Sequence, residues 1–176
     1  MNLLHDVSSG ENIPDIVNVI VEIPRGSKNK YEIDKKTGLI ALDRAAHTAQ
    51  DFPFDYGFIP QTLWDDEDAL DVVLLSTFPL LPGILVRARP VGVMHMIDSG
   101  DNDDKIIAVP VDDPRWDEVR DIGDVNKHTL KEMDHFYSTY KKIQKKEVSV
   151  KGFGGAEEAK KAIMRGAEMY KKEKEK

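Results

Sequence analysis

The sequence has 176 residues, 40% hydrophobic and 32% charged, with a formal net charge of −7. That length suits one domain, expected to span residues 1–176, with a substantial core, and the negative balance disfavours nucleic acid or an anionic membrane as a partner. The absence of cysteine excludes disulfides, thiolate zinc sites and a cysteine nucleophile, and it suits the cytoplasm. Met1 to Pro14 has no basic end followed by an apolar segment, so no signal peptide is expected, and the apolar runs are too short to cross a bilayer.

Ile16 to Ile23 is β-branched and reads as a strand that carries Glu22 among apolar neighbours. Pro24 to Ser27 is a turn. Lys30 to Ile33 and Leu39 to Arg44 form two strands joined by a hairpin turn over Asp34 to Gly38. The two-residue period puts Lys30 and Glu32 on one face. Phe52 to Pro60 is aromatic and proline-punctuated, and its plain reading is core packing around a bend, with Tyr56 adding a hydroxyl.

Five of the next decisive seven residues, Asp65 to Asp71, are acidic, and they run into the apolar strand Val72 to Leu75. Asp66 and Asp68 share parity on an extended chain. Asp71 joins them only if the chain turns between Asp68 and Asp71. Ile84 to Ile97 is a long β-like run, broken near Pro90 and Gly92. A second acidic loop covers Asp98 to Asp104 and closes on Lys105, and Ile106 to Val111 is a further strand. Lys127 to Lys145 is amphipathic, with Leu130, Met133, Phe136, Tyr140 and Ile143 at helical spacing. Glu147 to Val150 suits a last strand. Ala156 to Tyr170 suits a second helix with Ala159, Ile163 and Tyr170 inward, and Lys171 to Lys176 is expected to fray. Many short strands followed by two helices indicate an α+β chain, mainly β, built on a barrel or tightly curled sheet.

Common signatures are missing. No Gly-rich phosphate loop or nucleophile elbow occurs, and the histidines at 5, 47, 95, 128 and 135 lack ligand spacing. The acidic loops also miss the calcium-loop pattern, since Leu70 falls at a ligand position counted from Asp66. What remains is two acidic loops, Glu22, and the basic or phenolic Lys30, Arg44, Tyr56, Lys105, Tyr140 and Lys141. Taken alone, each acidic loop suits a solvated surface, and each cation suits a solvated charge. Taken together they suit several dications beside a ring of cations, an arrangement fitted to a small, highly charged phosphate substrate.

Val21-Glu22-Ile23-Pro24, Lys30-Tyr31-Glu32, Asp43-Arg44, Asp55 to Pro60, Asp66-x-Asp68-x-x-Asp71-Val72, Arg89-Pro90-Val91-Gly92, Asp98 to Lys105, Ala108-Val109-Pro110 and Tyr140-Lys141 occur in order. This ordered set resembles the soluble family I inorganic pyrophosphatases from about Pro14 to Ala162. The resemblance implies an OB-like five-stranded β-barrel flanked by two main helices. It implies hydrolysis of pyrophosphate with Mg²⁺ as the usual activator. Asp66, Asp71 and Asp98 then look like metal ligands, and Asp68 like a general base that also meets the metals. Asp103, Glu22 and Glu32 match further metal carboxylates. Lys30, Arg44, Lys105, Tyr140 and Lys141 look like phosphate-holding groups, and Tyr56 like a hydrogen-bonded tyrosine of the site. Compact prokaryotic members are usually hexamers, which makes a homo-oligomer the expected state; His135 suits a subunit contact or solvent equally.

The chain departs from that pattern at four positions. Glu67 replaces a usual glycine, adds charge and argues against an easy positive φ there. Ala69 replaces a usual proline and loosens the loop. Phe52 replaces a usual tyrosine, and Phe153 a common tryptophan. A second reading is therefore a metal- and pyrophosphate-binding protein on the same scaffold with weakened turnover. Nucleoside triphosphate hydrolysis lacks any base-binding motif.

Overall fold

Nine strands and two helices build the fold of this computed structural model, which describes residues 1–176. The strands are β1 (Val17–Ile23), β2 (Asn29–Ile33), β3 (Ile40–Ala45), β4 (Asp55–Phe58), β5 (Asp71–Leu74), β6 (Leu85–Asp98), β7 (Asp101–Asn102), β8 (Lys105–Pro110) and β9 (Val148–Gly155), and the helices are α1 (Lys127–Thr139) and α2 (Ala156–Lys174). Strands pair in the order β1-β4-β5-β8-β6, and β6 returns to β1, so five strands close into a ring. All neighbours in the ring are antiparallel except β5 and β8, which run parallel. The ring is uneven, because the closing pair covers only Val17–Ile20 against Leu85–Ala88. The expected OB-like barrel is present in this form, and β2 and β3 stand beside it as a separate hairpin.

The two-residue period of the strands divides the core between the helices. Val17, Val19, Val21, Val72, Leu74, Ile106 and Ala108 pack in one cluster with Ala159 and Ile163 of α2. Val73, Ile107, Val109, Met94 and Met96 face the other way and pack with Met133, Phe136 and Tyr137 of α1. Burial on both faces explains the apolar runs Val19–Val21 of β1, Val72–Leu74 of β5 and Ile106–Val109 of β8.

Five elements differ from the sequence reading. The segment expected as a bend contains β4, a ring strand whose Gly57 lies against β1; a Cβ there would approach the Ile20 carbonyl oxygen to 2.0 Å. β6 is not broken at Pro90 and Gly92: the register shifts there, and Val91 is accommodated as a bulge. α1 stops at Thr139 rather than Lys145, and Ile143 is 64% exposed. Near that end the Thr139 hydroxyl donates to the His135 carbonyl at 2.6 Å, competing with helix hydrogen bonding. β9 is longer than expected because it follows the edge of β6 from Asp98 to Gly92. α2 runs on to Lys174, with lysines at its negative end and Glu157 and Glu158 at its positive end, where each charge favours the helix dipole.

Candidate active site

The parallel pair β5–β8 sets the centre of the site. Asp71 opens β5 and Lys105 opens β8, and the register places them opposite each other. Lys105 is 2% exposed. Its ammonium donates to Asp71 Oδ2 and to Asp103 Oδ1, each at 2.9 Å. Tyr56 of β4 donates its hydroxyl to the same Asp71 oxygen at 2.5 Å. The Lys105 ammonium also stands 5.3 Å from the Tyr56 ring centre and 6.0 Å from that of Tyr137. Burial acts to lower the Lys105 pKa, but Asp71 and Asp103 outweigh it, so the ammonium stays charged.

One ammonium does not neutralise the carboxylates gathered here. Burial, reinforced by Asp71 and Asp66, pushes Asp103 up to about 7 against the pull of Lys105. Burial and Asp71 also raise Asp66. Glu22, on β1, is 5% exposed and accepts the Ile33 N–H at 2.7 Å; burial and Asp71 push it up to about 8. Asp98, at the end of β6, is ion-paired with Lys141; that contact outweighs burial and holds its carboxyl below the usual range. The Lys141 ammonium lies 5.4 Å from the Tyr140 ring centre. Tyr140 stacks with Phe136 at 5.2 Å, and burial raises its pKa. Phe52 fills space in the same aromatic cluster, 5.1 Å from Phe136, so its lack of a hydroxyl leaves the packing intact.

The turn required between Asp68 and Asp71 begins earlier, at Trp64. The Trp64 N–H donates to the Asp68 carbonyl at 2.7 Å, and the Glu67 N–H donates to the Trp64 carbonyl at 3.1 Å. The Asp68 N–H meets Asp66 Oδ1 at 3.1 Å. Within this turn Glu67 has φ +67°, which corrects the expectation that a glutamate forecloses a positive φ. The left-handed turn is kept despite the side chain, at a cost of about 1–2 kcal/mol.

The β2–β3 hairpin brings the remaining cations. Lys30 pairs with Glu32 at 2.7 Å and with Asp43 at 3.3 Å, and Arg44 also pairs with Asp43. A cavity of about 530 Å³ opens between this hairpin and the ring, lined by Glu22, Lys30, Glu32, Tyr56, Asp68 and Asp71 among others. The predicted residues thus fall into a cavity group and a group around Lys105, joined through Tyr56 and Asp71. Arg44 lies at the hairpin, outside the cavity lining.

No three acidic or histidine side chains converge closely enough to form a ready metal-ligand set, and ammonium groups stand on several of the carboxylates instead. The donor set still fits hard dications. Its ligand atoms are carboxylate oxygens, and the raised proton affinities of Glu22, Asp66 and Asp103 mark a surplus of negative charge that further cations relieve.

Three contributors went unread in the sequence. Lys35, in the hairpin turn, pairs with Asp68 at 2.5 Å, and nothing in its local pattern signalled this. Asp43 bridges Lys30 and Arg44. Tyr137 is buried beneath Lys105, and its place four residues after Met133 was a usable helical signal.

Known proteins share this fold and much of this sequence. The profile of the inorganic pyrophosphatase family matches residues 19–171. An inorganic pyrophosphatase of Picrophilus torridus is 45% identical over 172 residues, covering 98% of this chain and 97% of the relative. Soluble inorganic pyrophosphatase 1 of Arabidopsis thaliana is 48% identical over 94% of this chain and 78% of its own. The crystal structure of the Thermus thermophilus inorganic pyrophosphatase superposes with a TM-score of 0.94 at 42% identity, over 97% of this chain and 99% of that one. Profile, identity and fold agree along almost the full length, and the chain belongs to the soluble family I inorganic pyrophosphatases, enzymes that hydrolyse pyrophosphate.

Proposed function

We propose that the chain hydrolyses pyrophosphate to two orthophosphates in a Mg²⁺-dependent reaction, by direct attack of water and without a covalent intermediate. The observation that carries this reading is the surplus of carboxylates around the buried Lys105, facing a cavity edged by Lys30. Asp66, Asp71, Asp98 and Asp103, with Glu22 and Glu32, would hold the dications. Bound Mg²⁺ would supply charge neutralisation and a water acidic enough to lose its proton near neutral pH.

Within that reading Asp68 accepts the proton of the attacking water. It lines the cavity and its side chain is 58% exposed, so it can reach a substrate. Lys30, Arg44, Lys105, Tyr140 and Lys141 hold the phosphates and stabilise the charge that grows on the leaving group. Dication charge, where bound, would take the place of the Lys105 and Lys141 ammonium groups on Asp71, Asp103 and Asp98, leaving both lysines to meet phosphate. Tyr56 fixes the orientation of Asp71.

Phosphate release from pyrophosphate, with and without Mg²⁺, tests the assignment. Turnover that needs the metal and is abolished in Asp68→Ala supports it; binding of metal and pyrophosphate with no release would place the chain among binding proteins instead. The proposal extends to a single catalytic domain over residues 1–176 and to a homohexamer, which sedimentation at several protein concentrations tests. His135 is exposed on α1 and open to a subunit contact. No helix is long and apolar enough to cross a membrane. Cell fractionation tests the cytoplasmic location expected from the cysteine-free sequence.

A further inference from the structure

We propose that Lys35 is a positioning residue that holds the acidic loop in its left-handed turn and aims Asp68. The inference rests, for its link to catalysis, on the role given to Asp68 above. Three observations lead to it. The Lys35 ammonium donates to the Glu67 carbonyl at 2.9 Å and pairs with the Asp68 carboxylate at 2.5 Å, so one cation grips two successive residues of the loop. The gripped residue, Glu67, sits at φ +67°, where a non-glycine side chain is unfavourable, and Ala69 follows without the rigidity of a proline. The loop therefore has neither a glycine to relax this φ nor a proline to stiffen the chain after it, at the point where an outside contact grips it.

The third observation concerns where Lys35 starts. Its turn is fixed from within: Asp34 Oδ1 accepts the Lys36 and Thr37 N–H groups at 2.9 and 2.8 Å, and the Gly38 N–H donates to the Asp34 carbonyl at 2.7 Å. Asn2 donates its side-chain amide to the Lys35 carbonyl at 3.3 Å, tying the turn to the N-terminal segment. The side chain thus extends from a braced base to the loop, and both Lys35 and Asp68 line the cavity. Holding the carbonyl favours the observed peptide orientation at Glu67, and that orientation sets the direction in which Asp68 leaves the backbone.

The test is amide hydrogen exchange over residues 65–69 of the full-length, metal-free protein, together with steady-state kinetics of the metal-loaded enzyme. Lys35→Met is expected to speed exchange at Glu67 and Asp68 by about three- to tenfold. It is expected to lower kcat by a similar factor with KM for pyrophosphate held within about twofold. Lys35→Arg, which spans the same carbonyl and carboxylate, restores both. Adding Glu67→Gly to Lys35→Met removes the backbone penalty and recovers part of the protection. Unchanged exchange in Lys35→Met, or a double variant no better protected than that single one, overturns the proposal. A rise in KM with kcat intact also overturns it, since Lys35 would then be a substrate cation. If Asp68→Asn still turns over, the proton-acceptor assignment falls, while exchange in the metal-free protein still decides whether Lys35 holds the loop.

Discussion

Replacing Lys105 with methionine keeps most of the side-chain length and removes the buried charge. Its 2.9 Å contact with the Asp71 carboxylate is worth about 6 kcal/mol at an effective dielectric near 20, before the cost of burial is subtracted, and its contact with Asp103 adds to this once Asp103 ionises. Breaking such a pair by removing one partner costs about 3–5 kcal/mol, because the other charges stay buried and uncompensated. Protonation gives the carboxylates a way out. Asp103 already binds its proton up to about pH 7, so between pH 6 and 8 it holds on average about half a proton more than the unfolded chain. Without Lys105 its pKa rises further and the whole proton is held across that range. Stability falls with pH wherever the folded state holds the extra proton, at about 1.4 kcal/mol per pH unit per proton. The variant should therefore lose about 1.4 kcal/mol more, relative to the parent, at pH 8 than at pH 6. Urea denaturation of the metal-free proteins at both pH values and one fixed protein concentration measures this. Mg²⁺ at about a hundred times its Kd should return about 2.7 kcal/mol to either protein. A loss below about 1 kcal/mol at both pH values, or the same loss at both, would refute the picture of Lys105 as the fold's own counter-ion.

Asp68→Asn should lower kcat by about 10²–10⁴-fold while leaving thermal stability close to the parent, as read by phosphate release and melting temperature. Gly57→Ala should prevent stable folding or cost more than about 4 kcal/mol, because its Cβ meets the β1 backbone, which cannot move without opening the ring; circular dichroism and denaturation check this. His95 joins β6 to Asp104 at 3.1 Å and to Glu158 of α2 at 3.2 Å. Burial lowers its pKa, but the bonds to Asp104 and Glu158 outweigh this and hold it above its ordinary 6.5. A raised imidazole contributes stability that is complete below that value and is lost as pH rises through its folded pKa. The parent should thus lose melting temperature over that window relative to His95→Gln, and parallel melting curves for the two would refute the linkage.

Local pattern in the sequence was enough to give most of the elements and nearly all of the candidate residues. β-Branched runs marked β1, β5, β6 and β8, and the apolar spacing of Met133 and Phe136 marked α1. The paired acidic loops and the buried-looking Glu22 pointed to dications and a phosphate substrate, since oxygen-rich clusters need cations. These features were legible because each depends on residues close together in the chain.

Distance along the chain decided the rest. β4 exists because β1 and β5 lie on either side of it, and four residues set between Pro53 and Pro60 are too short a run to signal a strand of their own. Lys105 is a buried charge only because the parallel register places Asp71 opposite it, 34 residues away in sequence. Glu67 takes a left-handed turn that its own side chain disfavours, while Lys35, 32 residues away, holds the carbonyl. Composition and periodicity therefore specified which groups the protein has. Ring closure decided which charges face one another and how strongly, because Coulomb energies depend on separation and on water exclusion, and both are properties of the assembled fold.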